Sequence, residues 1–281
     1  MEKEDPVKLG RMKLGLVAAL ACALLASTAA AAGISFKDPI GDDNGPGSYS
    51  YPTDAVYKPG SFDMTGFRVV PRGKKVDFEV DVNSALEDPW RMGVGFAVQM
   101  VFIFIDTDGK EGSGFTQGLP GLNVSFGAAD AWDRCIILSP QPQGRVKSEI
   151  DAKVSADMKK AVLVPVRTKG AGRTISGSVD LADLGEGDPI TWGYQVVMQS
   201  NEGFPAKTDL LTRKVNEYEG QHRFGGGNDG DCDPHAMDIL AGGGTGEKSE
   251  IETQHQMLGF ECNEDGTAKK MAVLKMVHVK K

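Results

Sequence analysis

The 281-residue sequence predicts an all-β protein, a single antiparallel β-sandwich with long loops rich in Gly and Asp. Three observations carry this prediction. Val76, Phe78, Val80 and Val82 alternate with Asp77, Glu79 and Asp81, the period-2 pattern of a strand with one wet face. Residues 94–105 are almost unbroken apolar sequence, with Phe96, Val98, Val101, Phe102, Ile103 and Phe104, which suits a central strand covered on both faces. Thirty-six glycines, roughly one residue in eight against an average of about 7%, supply turns rather than helices.

Further strands are predicted over 67–70, 122–126, 132–138, 161–166, 174–179, 190–199 and 271–279, where β-branched and aromatic residues cluster between Gly, Pro, Asn or Asp breaks. Helical pattern is confined to 181–184 and 209–218. No internal repeat and no Pro/Ser linker interrupts residues 33–281, which therefore form one domain.

Residues 1–32 have the layout of a secretory signal. Arg11 and Lys13 precede an apolar run over 14–26, and small residues follow, with Met12 an alternative start. The run is shorter than the ~20 residues of a membrane span, so the mature chain is not expected to be an integral membrane protein. Cys22 lacks the leucine three residues ahead that a lipoprotein signal carries. The expected location is secreted or periplasmic, where calcium is plentiful and disulfides form. A net charge of −8 argues against nucleic acid or an anionic membrane as partner.

Beyond the signal three cysteines remain, so one pair can form and one thiol is left. Cys232 and Cys262 lie in loop-like sequence and are the expected disulfide. Cys135 sits in an apolar strand-like run and is expected to be a buried thiol.

The acidic loops carry the chemistry. Residues 36–47 pack Asp38, Asp42, Asp43 and Asn44 into a segment held by Gly and Pro. Crowded carboxylates cost free energy unless a cation neutralises them, and calcium accepts six to eight oxygens in flexible geometry. A solvated turn built on Asx residues is the alternative. Two further stretches, 106–111 and 228–234, echo the start of an EF-hand loop. Both fail it: position six is Glu111 or Pro234 instead of Gly, and position twelve is Gln117 or Leu240 instead of Glu. Each reads better as a turn.

Catalytic signatures are missing. There is no G-x-S-x-G and no H-E-x-x-H, and residues 244–249 miss the P-loop because Glu247 separates Gly246 from Lys248. His222, His235, His255 and His278 are scattered, which gives no reason to expect haem or zinc. A glycosidase needs only two carboxylates, and abundance does not identify a pair. Exposed aromatic rings stack on sugar faces; Tyr49, Tyr51, Trp90 and Trp132 are the candidates by position, although Trp132 and Trp192 read better as core, given the strands they sit in.

Residues 38–53 resemble the opening of the glucodextranase C-terminal domain family. The likeness continues through 59–64, 119–124, Trp132-Asp133, 223–229 and 238–240, in family order across nearly all of the chain after the signal. Residues 242–251, like Cys232 and Cys262, look local to this chain. The resemblance implies a calcium-supported, DOMON-like β-sandwich of the carbohydrate-binding kind, not an enzyme, with Asp38, Asp42, Asp43 and Asp63 as metal ligands. The expected partner is then a polysaccharide, an α-glucan or a cell-envelope glycan. The alternatives are an envelope-attachment protein whose calcium-ordered loops contact a protein, and a glycoside hydrolase.

Overall fold

A computed structural model describes residues 1–3, 33–230, 232–242 and 247–279. The expected signal at 1–32 lies almost wholly outside the described residues, as does Asp231. The first half of the chain forms β1 (Ile34–Lys37), β2 (Met64–Arg72), β3 (Lys75–Val82), β4 (Gln99–Asp106), β5 (Val124–Phe126), β6 (Arg134–Leu138) and helix α1 (Gln143–Lys153). Next come β7 (Val162–Leu163), β8 (Thr168–Ala171), β9 (Thr174–Asp180), α2 (Leu181–Leu184) and β10 (Gly193–Ser200). The chain ends with β11 (Asp238–Ile239), α3 (Glu247–Met257), β12 (Glu261–Cys262), β13 (Ala268–Lys270) and β14 (Ala272–Leu274).

Two five-stranded sheets form the sandwich, one in the order β1-β2-β3-β9-β8 and the other β11-β10-β4-β6-β7. Every pairing in the first is antiparallel. The second departs from the expected all-antiparallel pattern at β6–β7, which run parallel, as do β5 and β14 in a small separate pair. Among the described residues no helix is long and apolar enough to cross a membrane.

The β3 alternation predicted from sequence sends Val76, Phe78, Val80 and Val82 inward, all essentially without exposure. They meet Val101, Ile103 and Ile105 of β4 and Val196 of β10 between the sheets. The other face of β4 is also covered. Met100, Phe102 and Phe104 pack beneath Phe126, Trp132, Leu274, and Val146 and Ile150 of α1. The unbroken apolar run is thus the strand shared by two hydrophobic layers.

That strand starts at Gln99 rather than at 94, because the backbone turns at Gly93 and Gly95, both at positive φ (79° and 87°). A Cβ on Gly95 would lie 2.3 Å from the Gly170 carbonyl oxygen, so this close approach admits only glycine. Residues 209–218 contain turns and isolated bridges instead of the predicted helix, while α1 and α3 arise where no helix is predicted. Cys232 and Cys262 are joined by a disulfide spanning 30 positions, and Cys135 is a buried free thiol whose ionisation burial pushes up.

Candidate metal centre

The residue after β1 and the strand β11 meet at one edge of the sandwich. Among the described residues β1 pairs only with β2, and β11 only with β10, so each closes the edge of its own sheet. The loop after β1 is docked onto β11 through the Gly45 amide, which donates to the Met237 carbonyl at 2.8 Å. Gly45 has φ +60°, and a Cβ there would fall 2.2 Å from the Tyr49 ring, so only glycine lets the loop turn this tightly against its neighbours. From the other side Gln254 of α3, fully buried, accepts the Ile239 amide at 3.0 Å and donates to the Asp42 carbonyl.

These contacts gather carboxylates. Asp38, Asp42 and Asp238 are all buried, and one oxygen from each lies within 4.8 Å of the other two. Asp63, immediately before β2 and 2% exposed, completes the group electrostatically. Its Oδ2 accepts the Gly41 amide and the Asn83 side-chain amide, both at 3.0 Å. Asp238 Oδ2 accepts the Met64 amide at 2.6 Å. Among the described residues the remaining oxygens find no hydrogen-bond partner: both of Asp38, both of Asp42, Oδ1 of Asp63 and Oδ1 of Asp238 are buried without one, as is Oδ1 of Asn44 in the same loop.

An unpartnered buried carboxylate is among the costliest groups a fold can hold. Here the charged neighbours make it worse. Burial raises the Asp38 carboxyl well above its usual range, and Asp238, Asp42, Glu250 and Asp63 each push it further. Burial likewise lifts Asp42 to about 7 and Asp63 to about 6. Asp238 rises for the same reason, with Asp42 its strongest charged neighbour. Without a cation the group relieves this repulsion only by holding protons, as the raised carboxyls do, and its donors are all oxygen. That is the donor set of a hard divalent cation, with calcium's tolerance for many carboxylates.

Asp43 stands beside this group. Its Oδ2 accepts the Tyr51 phenol, which in turn accepts the Phe62 amide at 2.9 Å. Its carboxyl is raised by burial and partly restored by that phenol. Asp238 is the member that loop composition misses. One signal was available: an ionisable residue inside the apolar run Ala236-Met237-Asp238-Ile239-Leu240.

A second set, Asp106, Asp108 and Asp133, also brings three oxygens within 4.8 Å, yet its chemistry is opposite. Asp106 Oδ1 accepts the amides of Asp108 (3.2 Å) and Gly109 (2.8 Å), and Asp133 Oδ2 accepts the Thr107 amide and hydroxyl at 2.8 and 2.7 Å. Asp108 Oδ1 accepts the Lys110 amide and Ser113 hydroxyl, both at 2.9 Å, and these bonds hold its carboxyl below the usual range. These are the bonds of the Asx turn read from the sequence, although Asp106 itself is buried and not solvated. In 228–234, Asn228 and Asp229 likewise accept backbone amides, of Gly230 at 2.7 Å and Glu217 at 3.1 Å.

The aromatic expectations need correction. Tyr49 is buried, its hydroxyl donating to the Pro234 carbonyl at 2.7 Å. Trp132 is fully buried between Phe104 and Phe115, its indole donating to the Gln117 carbonyl at 2.9 Å. Neither ring can present a face to a ligand, because both are buried, with the hydroxyl and the indole N–H each satisfied by a carbonyl inside the fold. Tyr51 is half-buried, edge-on to Phe62 and Phe224, and Trp90 is half-buried against Tyr57.

The fold and this centre define an all-β sandwich protein whose carboxylates are gathered inside a sheet edge instead of across an open cleft. A family model for the SLH-like C-terminal binding module of glucodextranase matches residues 34–277, from the first residue of β1 to the bridge between Val277 and Tyr194. The chain belongs to this family of binding modules. A search of curated proteins found no match.

Proposed function

We propose that the chain is an exported, non-catalytic glycan-binding module in which calcium, held by Asp38, Asp42, Asp63 and Asp238, orders the loops at one edge of the sandwich. The observation that carries the metal is the set of buried carboxylate oxygens without partners. Bound there, calcium supplies charge neutralisation and fixes the loop after β1 against β11. Family membership supports a binding role, and the glycan, an α-glucan or cell-envelope polysaccharide, is the ligand class this reading adopts. Burial removes these four carboxylates as a hydrolytic pair, which needs two carboxyl groups flanking a sugar bond in an accessible cleft.

Affinity gel electrophoresis of the purified protein tests this reading. Gels containing dextrin, pullulan or a bacterial envelope polysaccharide, run with calcium, should retard it on at least one, with no reducing sugar released. Chelator should abolish the retardation. Equal mobility on every gel would sink the glycan reading.

A further inference from the structure

The aromatic ring most open to solvent is one that the sequence pattern does not single out. Phe204 is 96% exposed. Its loop is nonetheless firmly held. Glu202 accepts the Phe204 amide at 3.0 Å, Arg145 of α1 donates to the Gly203 carbonyl, and Lys153 of α1 donates to the carbonyls of Ala206 (3.2 Å) and Asp209 (2.6 Å). A bridge between Asn201 and Thr212 closes the loop, and the Glu202 amide donates to the Leu211 carbonyl at 2.7 Å. Leu211 takes φ +34° to make that turn, a conformation a branched side chain adopts only where the surroundings impose it. The loop thus spends charge-assisted hydrogen bonds and backbone strain to hold an apolar ring in water, where it gains nothing for the fold itself.

Beside the ring is a pocket of about 240 Å³ whose lining includes Glu202, Arg213, Asn216, His222 and Arg223. Its volume falls below the ~300 Å³ at which sites for drug-sized ligands begin, which limits it to a single ring. Arg213 is fixed on Glu202 at 2.6 Å and lies 5.7 Å over the Tyr57 ring, yet its Nε is buried without a partner. Arg223 is exposed, and its guanidinium meets no acceptor in the described residues. By contrast, the larger cleft of 670 Å³ on the outer face of β3, β9 and β8, lined by Asp77, Glu79, Arg167 and Lys169, has no aromatic ring in its wall.

An exposed aromatic face on a held loop, next to planar donors and a carboxylate, is the complement of one sugar unit, with C–H bonds on one side and hydroxyls around the rim. We propose that the Phe204 loop is the glycan-contact surface of this module: Phe204 stacks on a single sugar ring while Arg223 and Asn216 bond its hydroxyls. This rests on the glycan reading above.

The test uses the same calcium-containing gels with Phe204→Ala, Phe204→Trp, Arg223→Ala and, in the larger cleft, Arg167→Ala, each checked for an unchanged thermal midpoint. Phe204→Ala and Arg223→Ala should each weaken association at least tenfold on the polysaccharide that retards the unmodified protein. Phe204→Trp should retain binding, and Arg167→Ala should match the unmodified protein. If Phe204→Ala and Arg223→Ala are retarded like the unmodified protein, or Arg167→Ala alone loses binding, this surface assignment is wrong while the glycan reading stands. If the unmodified protein is retarded by no polysaccharide, both fail together.

Discussion

Replacing Asp238 by Asn separates a cation centre from an ordinary buried acid, because the two predict opposite signs. Asparagine keeps an oxygen to accept the Met64 amide, at 2.6 Å in the native fold, and removes one negative charge from among Asp38, Asp42, Asp43 and Asp63. Without metal that charge is a burden. One pKa unit is worth about 1.4 kcal/mol, so a carboxyl lifted from 3.8 to about 7, as Asp42 is, costs on the order of 4 kcal/mol to ionise inside the fold at pH 8. In chelator at pH 8 the variant should therefore melt at or above the midpoint of the unmodified protein. With calcium at a hundredfold excess over Kd the unmodified protein should gain about 2.7 kcal/mol, roughly 5–10 °C for a domain of this size, and the variant should gain little of it. Differential scanning calorimetry of both proteins, with calcium and with chelator, reads all four midpoints. The reasoning is refuted if the unmodified protein melts at one temperature in both buffers, or if the variant is equally destabilised in both.

Three further outcomes follow from the same geometry. In chelator, Asp42 and Asp63 have folded pKa values above the ~3.9 of an unfolded Asp, so their contribution is present in acid and lost as pH rises toward 6–7; urea midpoints should fall between pH 4 and pH 8 and recover when calcium is added at pH 8, and a flat profile would count against the cluster. Gln254→Ala strands the Ile239 amide and releases the Asp42 carbonyl, which should cost about 1–3 kcal/mol by chemical denaturation and weaken calcium binding in titration calorimetry; an unaltered calcium affinity would show that α3 does not position the loop. Reducing the disulfide opens a 30-position loop, for which chain entropy gives roughly 3–4 kcal/mol, seen as a lower urea midpoint in dithiothreitol; no change would mean the unfolded chain is not constrained by it.

The strands with clean periodicity were legible from sequence, as was the short helix α2, while α1 and α3 were not. β3 alternates without exception, and β4 is apolar on both faces, so burial alone defines them. Helix α1 shows only Val146 and Ile150 to the core, a single i, i+4 pair in a polar segment, and tertiary packing supplies the rest of its stability. Within the site, Asp38 and Asp42 were visible because one short loop crowds its charges. Asp63 was reachable only through the family resemblance, since its neighbours in sequence are not acidic. Asp238 was hidden in an apolar strand, where partners come from chain 174 positions away, as the bond to the Met64 amide shows. Tyr49 misled because position near a loop says nothing about which way a ring turns, and it turns inward, whereas Trp132 lies in the core as its strand suggested.

The buried carboxylate cluster is also a statement about time. Asp38 and Asp238 stand 200 positions apart in the chain, and joining ends so distant costs about 5 kcal/mol of loop-closure entropy before any contact returns it. A chain made from its N-terminus carries Asp38, Asp42 and Asp63 long before Asp238 exists, so its early carboxylates repel one another with no cage to share. On the proposed reading an ion would be captured only once both sheets stand and their edge strands arrive together. Uptake of calcium would then mark the last act of folding, and a chain cut before β11 would remain a sandwich with an open seam.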